Sequence, residues 1–467
     1  MASTRAGLRT EGGLYEAIAR GNKDTFFFDQ DPNKAINPFE NRYTRIPPNL
    51  EELRRIPPLN GAEFGRSCEF EFETAGDIFL RPTVLIDLPS WYPPVQASLN
   101  PSLLYTEQVT GNSYGYTNGV GYFLFKKIQI FQDKLLLQEL TGDSLFALRA
   151  SRGSLNSAYM ENALAGFHNG TAASIAANAT PSRIRLELPF LGGRNGFPSI
   201  AMRKQSFKLR LELRPVEQLI ESSDPTATAA PQPWGATFVH ATETFRALQR
   251  TQMASPVLQL ETRHSYVDGE TQLALRSQPL EIPYSHPYEN TYIISPAEYA
   301  PIVKGVAAYM TRRVDAQHPA SRLLWYSRSQ NDLRANRRWK LTNDISGNEY
   351  YTAQSLIIAS RDRETSFSPY VWNLLTHHAK EDRDPGYGIG EMSWDMGDIR
   401  GRRAPWDRQP EGTINFTTAD RPTLYTSLSL APNDTNLGAP STEMTAVVDT
   451  WGLYSIEADR GVLKYGN

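Results

Sequence analysis

Four side chains that could hold a metal ion stand close together in this chain: His377, His378, Glu381 and Asp382. Adjacent histidines on a helix project about 100° apart, so they do not chelate as a pair four residues apart would. His377 with Glu381 leaves one weak bidentate option, and a polar helix end is the better reading. Gly386, Gly388 and Gly390 (GYGIG) imitate part of a phosphate-binding loop, yet no strand leads in and no helix with a lysine follows. That segment reads as a flexible loop. Ser144, in TGDSLF, lacks the flanking glycines of a nucleophile elbow. Carboxylates are spread along the chain, so no pair stands out as general acid and base. The expectation is no catalytic residue, no cofactor-binding residue and no metal ligand.

One charge cluster remains. From Arg312 to Lys340, eight basic residues stand against Asp315 and Asp332, with Trp325 and Trp339 interleaved. That composition suits a nucleic-acid or acidic-partner surface. No recognisable binding motif accompanies it, so the expected arrangement is arginines alternating outward from strands such as RLLWYSR, with the rest on a loop at a subunit contact. A net charge of −3 gives no overall attraction to nucleic acid or anionic membrane. Direct sequence-specific binding of nucleic acid is not expected.

The elements that would position these groups are mostly strands. CEFEF (68–72), RIRLEL (183–188) and FKLRLEL (207–213) alternate apolar and charged residues, which puts one face of a strand in a core and the other in water. IFLRPTVLIDL (78–88) and YFLFKKIQIF (122–131) are more apolar and suit interior strands, with Pro82 marking an edge or a bulge. A Pro/Ser/Ala stretch from Pro215 to Pro233 then reads as a connection between domains. Beyond it the candidate strands are 256–266, 290–294, 305–312, 322–328, 353–360, 412–430 and 446–457. The best helical segments are 11–20, 134–150 and 366–379. Residues 151–181 and 362–410 read as long loops, and such loops are usually functional or disordered.

At 467 residues the chain exceeds what one core holds, since single cores stop growing at about 250 to 300 residues. Two domains are expected. The single cysteine, Cys68, leaves no intrachain disulfide and no cysteine-built zinc site, which fits a reducing compartment. The first twenty residues lack a signal peptide's apolar centre, and no run approaches the roughly 18 apolar residues of a membrane span. The expectation is a soluble protein made without export, in cytoplasm or nucleus. The sequons at Asn169, Asn178, Asn415 and Asn433 then read as chance.

The two ends carry a resemblance. GGLYEAIARGNKDTFFFDQDPNKAINPFENRYTR, with Gly13, Leu14, Gly21, Asp24, Phe26, Pro32, Phe39, Tyr43 and Arg45, resembles the opening of the major capsid proteins of large nucleocytoplasmic DNA viruses, the group of iridoviruses, phycodnaviruses and marseilleviruses. SFKLRLELRP is similar to the strand closing that family's first barrel, and SRLLWYSRSQN to the tryptophan-bearing strand of its second. PEGTINFTTADRPTLY resembles the turn that opens a late strand, and YSIEADRGVLKYGN the final strand and tail. Two features depart from the family: a threonine-phenylalanine-phenylalanine is missing near the N-terminus, and the tail has fewer glycines.

The resemblance implies an all-β fold of two tandem eight-stranded jelly-roll barrels with long inserted loops and a few short helices. The expected division is an arm with a short helix at 1–25, a first jelly roll at 26–215, a linker at 216–233 and a second jelly roll at 234–467. It further implies a homotrimer forming a pseudo-hexagonal capsomer, contacts with neighbouring capsomers, and minor capsid proteins and an internal membrane met through the arm, in the capsid of a virion. Two rivals use the same architecture: a glycan-active enzyme, which needs a cleft with two close carboxylates, and a glycan-binding attachment protein with exposed aromatics in the 362–410 loop.

Overall fold

The structure is a computed structural model that describes residues 49–72, 76–99, 103–151, 164–181, 184–191, 196–202, 205–341, 351–368, 371–372, 389–394, 412–428, 441–457 and 459–464. Sixteen of its strands fall into two matching sets of eight. The first set is β1 (Asn49–Ile56), β2 (Ser67–Phe72), β3 (Thr83–Asp87), β4 (Phe125–Gln132), β5 (Leu135–Leu140), β6 (Ile184–Glu187), β7 (Phe207–Leu213) and β8 (Val257–Val267). They form two sheets with the orders β1-β8-β3-β6 and β2-β7-β4-β5. The second set is β9 (Leu280–Ile294), β10 (Tyr309–Arg313), β11 (Pro319–Ser329), β12 (Tyr351–Ile358), β13 (Arg361–Phe367), β14 (Gly390–Ser393), β15 (Thr423–Leu428) and β16 (Thr442–Glu457). Their sheets run β9-β16-β11-β14 and β10-β15-β12-β13, so adding eight to each strand of the first sandwich gives the second. This order, in which first and last strands pair and the chain crosses repeatedly between two antiparallel sheets, is the jelly roll.

The sandwiches divide at a different place from the expected linker. Val257–Val267, assigned from sequence to the second half, pairs with β3 from Val257↔Asp87 to Glu261↔Thr83 and closes the first sandwich. SFKLRLELRP, expected to be that closing strand, instead lies between β2 and β4. The Pro-rich stretch belongs to an excursion before β8, which also contributes Thr237–His240 and Glu243–Arg246 to a small accessory sheet. The crossing between sandwiches is made by α1 (Gly269–Ser277), whose Asp268 cap accepts the Thr271 N–H.

Alternation does what the sequence requires where one face meets water. On β7, Phe207, Leu209, Leu211 and Leu213 are buried, while Lys208, Arg210 and Glu212 face outward. Lys208 and Arg210 lie 3.9 and 3.8 Å from Glu71 and Glu69 on β2, and Lys126 lies 2.7 Å from Glu212. Inside, Phe72, Phe79, Phe190, Phe197 and Phe207 interlock with ring centroids 4.9–5.9 Å apart. Full burial of each such ring contributes roughly 1.5–3 kcal/mol before its edge-to-face geometry is counted. Pro82 sits in the break between Ile78–Phe79 and β3, where its carbonyl accepts the Leu188 N–H at 2.9 Å.

Several local expectations change. Lys134–Ala150, read as a helix, is β5 followed by α2 (Gly142–Ser151). Asp133 turns the chain with φ 51°, and LLLQEL pairs back onto β4, so tertiary pairing overrides the helix preference of leucine and glutamate. Tyr122 and Phe123 fall in a helical turn (Val120–Phe123) rather than in β4. β13 and β14 arise inside the stretch read as a loop from 362 to 410. The helix expected at 11–20, most of the one at 366–379, and the N-terminal matches at 13–45 lie outside the described residues.

Candidate functional site: the junction between the sandwiches

β11 and β16 are central strands of the second sandwich, and they are buried on both faces. Leu323 and Trp325 enter the second core with their cross-strand neighbours Val448 and Ala446. Leu324 and Val447, between them, join the core of the first sandwich, together with Tyr326, Tyr454 and Ile456. One sheet face of the second sandwich is thus packed against the first. This is why TAVVDTWGLYSI shows little alternation: both sides of the strand are interior.

That buried face also contains charges. Asp143, in the first turn of α2, accepts from Arg214 and from Arg328 of β11, and lies 3.8 Å from Arg338. Arg328 reaches Glu443 on β16 at 2.9 Å and lies over the Tyr326 ring at 5.2 Å. Burial pushes the Asp143 carboxyl up, but Arg328, Arg214 and Arg338 together outweigh it and hold Asp143 well below the usual carboxylate range. Burial likewise raises Glu289 of β9, against hydrogen bonds donated by Ser144 and Thr141.

A second node sits further along the same face. Arg322 donates to Asp449 at 2.9 Å with both side chains fully buried, and lies 3.7 Å from Glu391. Asp449 also accepts the Ser285 hydroxyl at 2.6 Å, and the Ser285 carbonyl accepts from Gln138 of β5 at 2.8 Å. Beyond it, the Tyr454 hydroxyl donates to Gln132 at 2.8 Å, and Gln132 donates to the Gly461 carbonyl at 3.0 Å.

The loop after β11 grips the Pro-rich excursion. Asn336 donates to the carbonyls of Glu217 and Ile220 at 2.7 and 2.6 Å, and its own carbonyl accepts the Thr117 hydroxyl at 2.7 Å. Arg337 donates to the carbonyls of Asp224 and Pro225, and the Trp339 indole to Glu221 at 2.9 Å. His168 Nε2 lies 2.8 Å from Glu221. His168 Nδ1 accepts the Gly170 N–H at 3.1 Å.

The basic cluster from Arg312 to Lys340 therefore differs from its expected outward arrangement. Arg322 and Arg328 point into the junction, and Arg337 is 8% exposed. The cause is the second buried face of β11, which the sequence pattern of a one-faced strand does not foresee. Asp143, Glu289, Glu443 and Asp449 were not singled out from sequence. The available signal was a lone charge inside an apolar run, as in TAVVDTW.

Each carboxylate at the two charged nodes has a cationic or hydroxyl partner, an arrangement that fixes geometry. Ser144 is buried in α2 with its hydroxyl on Glu289. Gly390 opens β14 and lies flat on Trp325, where an added Cβ would come within 2.3 Å of the indole. The missing side chain at Gly390 serves close packing. His377, His378, Glu381, Asp382, Gly386 and Gly388 lie outside the described residues. Among the described residues no group of three His, Cys, Asp or Glu is placed to hold a metal, and no helix is long and apolar enough to cross a membrane.

No family model matches the chain, and no curated protein matches it. Solved structures do. VP54 of the virus PBCV-1, fitted into a reconstruction of the virophage Sputnik, superposes with a TM-score of 0.66 at 14% identity, over 92% of this chain and all of that one. The Faustovirus major capsid protein gives 0.63 at 11% identity, over 90% and 93% of the two chains. A chain of the Sputnik virophage structure gives 0.53 at 10% identity, over 94% and 92%. Two jelly rolls with one repeated strand order, locked across a charged and apolar junction, make this chain a tandem double jelly roll with the fold of those viral major capsid proteins.

Proposed function

We propose that the chain is a structural major capsid protein, without catalysis, that trimerises into pseudo-hexagonal capsomers tiling an icosahedral shell. The observation that supports this best is the repetition of one strand order in two sandwiches whose mutual orientation is fixed by a buried junction. Two similar, rigidly coupled sandwiches per chain give a trimer six similar walls. Closed threefold contacts then complete the capsomer, and repeated contacts between capsomers extend the sheet. Individually weak edges suffice, since many act together. In this reading the N-terminal segment meets minor capsid proteins and the inner membrane side, and the mature location is the virion.

The test is oligomeric state and shape. Size-exclusion chromatography with light scattering should give three times the chain mass, and negative-stain images should show hexagonal particles. A stable monomer at micromolar concentration, or elongated particles without threefold symmetry, overturns the proposal.

A further inference from the structure

One inward side chain of the second core is not explained by its apolar neighbours. Gln354 on β12 faces the same interior as Leu356 and is fully buried. Its backbone carbonyl accepts the Trp372 indole N–H at 3.1 Å, but its amide nitrogen and oxygen have no hydrogen-bond partner among the described residues. Thr426, its neighbour on β15, directs its hydroxyl toward Met444 Sδ at 4.0 Å. From the facing sheet comes a second such group, the buried indole N–H of Trp325. Trp372 packs edge-on against Trp325 at 5.7 Å and bonds the Gln354 backbone carbonyl, so it lies at the edge of this core.

A primary amide removed from water and left unpaired is a costly burial, and native cores almost always give such a group a partner. Leucine or methionine would continue the pattern of β12 without that cost. We propose that the second sandwich binds an ordered internal water on the Gln354 amide. Water is the ligand class that fits: one molecule can accept from the amide N–H beside the carbonyl and donate to the carbonyl oxygen, which meets the minimum of two polar contacts an internal water makes.

The test uses the full chain and two variants, Gln354→Met and Gln354→Leu, which remove the amide while keeping apolar bulk. A crystal or electron cryo-microscopy map that resolves other internal waters should show an isolated peak about 2.7–3.2 Å from the wild-type amide. The peak should vanish in Gln354→Met, which should melt a few degrees lower than wild type. An empty site in the wild-type map overturns the proposal. So does a Gln354→Met or Gln354→Leu protein that keeps the fold and melts above wild type, because replacing an unliganded amide by an apolar group relieves it. Should neither variant fold, the wild-type map alone decides.

Discussion

Replacing Asp143 by asparagine removes the carboxylate shared by Arg214, Arg328 and Arg338. Arg328 keeps Glu443, whose charge also acts on Arg338, but Arg214 then has no ion-pair partner among the described residues. Breaking a buried ion pair on one side costs about 3–5 kcal/mol, because the remaining charge stays desolvated. Residues 50–467 are one compact unit. Unfolding entropy of about 2.1 cal/mol/K per residue then gives roughly 0.9 kcal/mol/K for the unit, so the melting point should fall by about 3–6 °C. Differential scanning calorimetry at pH 7 reads this directly. Removing the partner as well, in Asp143→Asn with Arg328→Met, should cost less than the sum of the single changes by about 0.5–3 kcal/mol. The effect also has a signed pH dependence. A carboxyl held low in the folded state stabilises above its usual value of 3.8 and loses that contribution as pH falls below it, so wild type and Asp143→Asn should converge in acid. Additive single and double variants, or an Asp143→Asn protein as stable as wild type at pH 7, would refute the view that this node couples the sandwiches.

Glu289 carries the opposite sign. Its carboxyl is raised above the usual 4.5 mainly by burial, so its ionised form burdens the fold as pH rises through that folded value. Glu289→Gln should stabilise the protein at high pH and leave it unchanged below pH 4.5, which melts across a pH series will show; a loss of stability at every pH would contradict it. Gly390→Ala should destabilise by about 1–3 kcal/mol through overpacking on Trp325, measured by chemical denaturation, and Gly390→Ala with Trp325→Phe should recover part of it.

Strands with one wet face were legible in the sequence: CEFEF and FKLRLEL declare their inward sides. The division between sandwiches was less so, because Pro215–Pro233 has the composition of a linker while its backbone is held by Asn336 and Arg337. Composition records the absence of regular structure, not whether a loop is bound. Lys134–Ala150 was misread because β5 owes its conformation to pairing with β4 rather than to its own preference. The junction was the least legible part. Its charges come from α2, β9, β11 and β16, and no local pattern announces that an arginine in one half meets an aspartate far away in the other.

The strand β16 raises a problem of alignment. A strand with one buried face finds its register from alternation, since a slip by one residue turns every apolar group to water. β16 has interior on both sides, and Val447 and Val448 would serve either core equally well. Apolar contacts alone therefore leave its alignment with β11 poorly determined. Two directly opposed pairs, Arg322↔Asp449 and Arg328↔Glu443, stand six residues apart on each strand and match in only one alignment. A slip by one residue would move Asp449 into the apolar core beside Trp325 and take from Arg322 the nearer of its two carboxylates, Asp449 at 2.9 Å against Glu391 at 3.7 Å. The ion pairs thus act as keys that select a single threading of the last strand through the finished molecule, and their worth lies in the alignments they exclude.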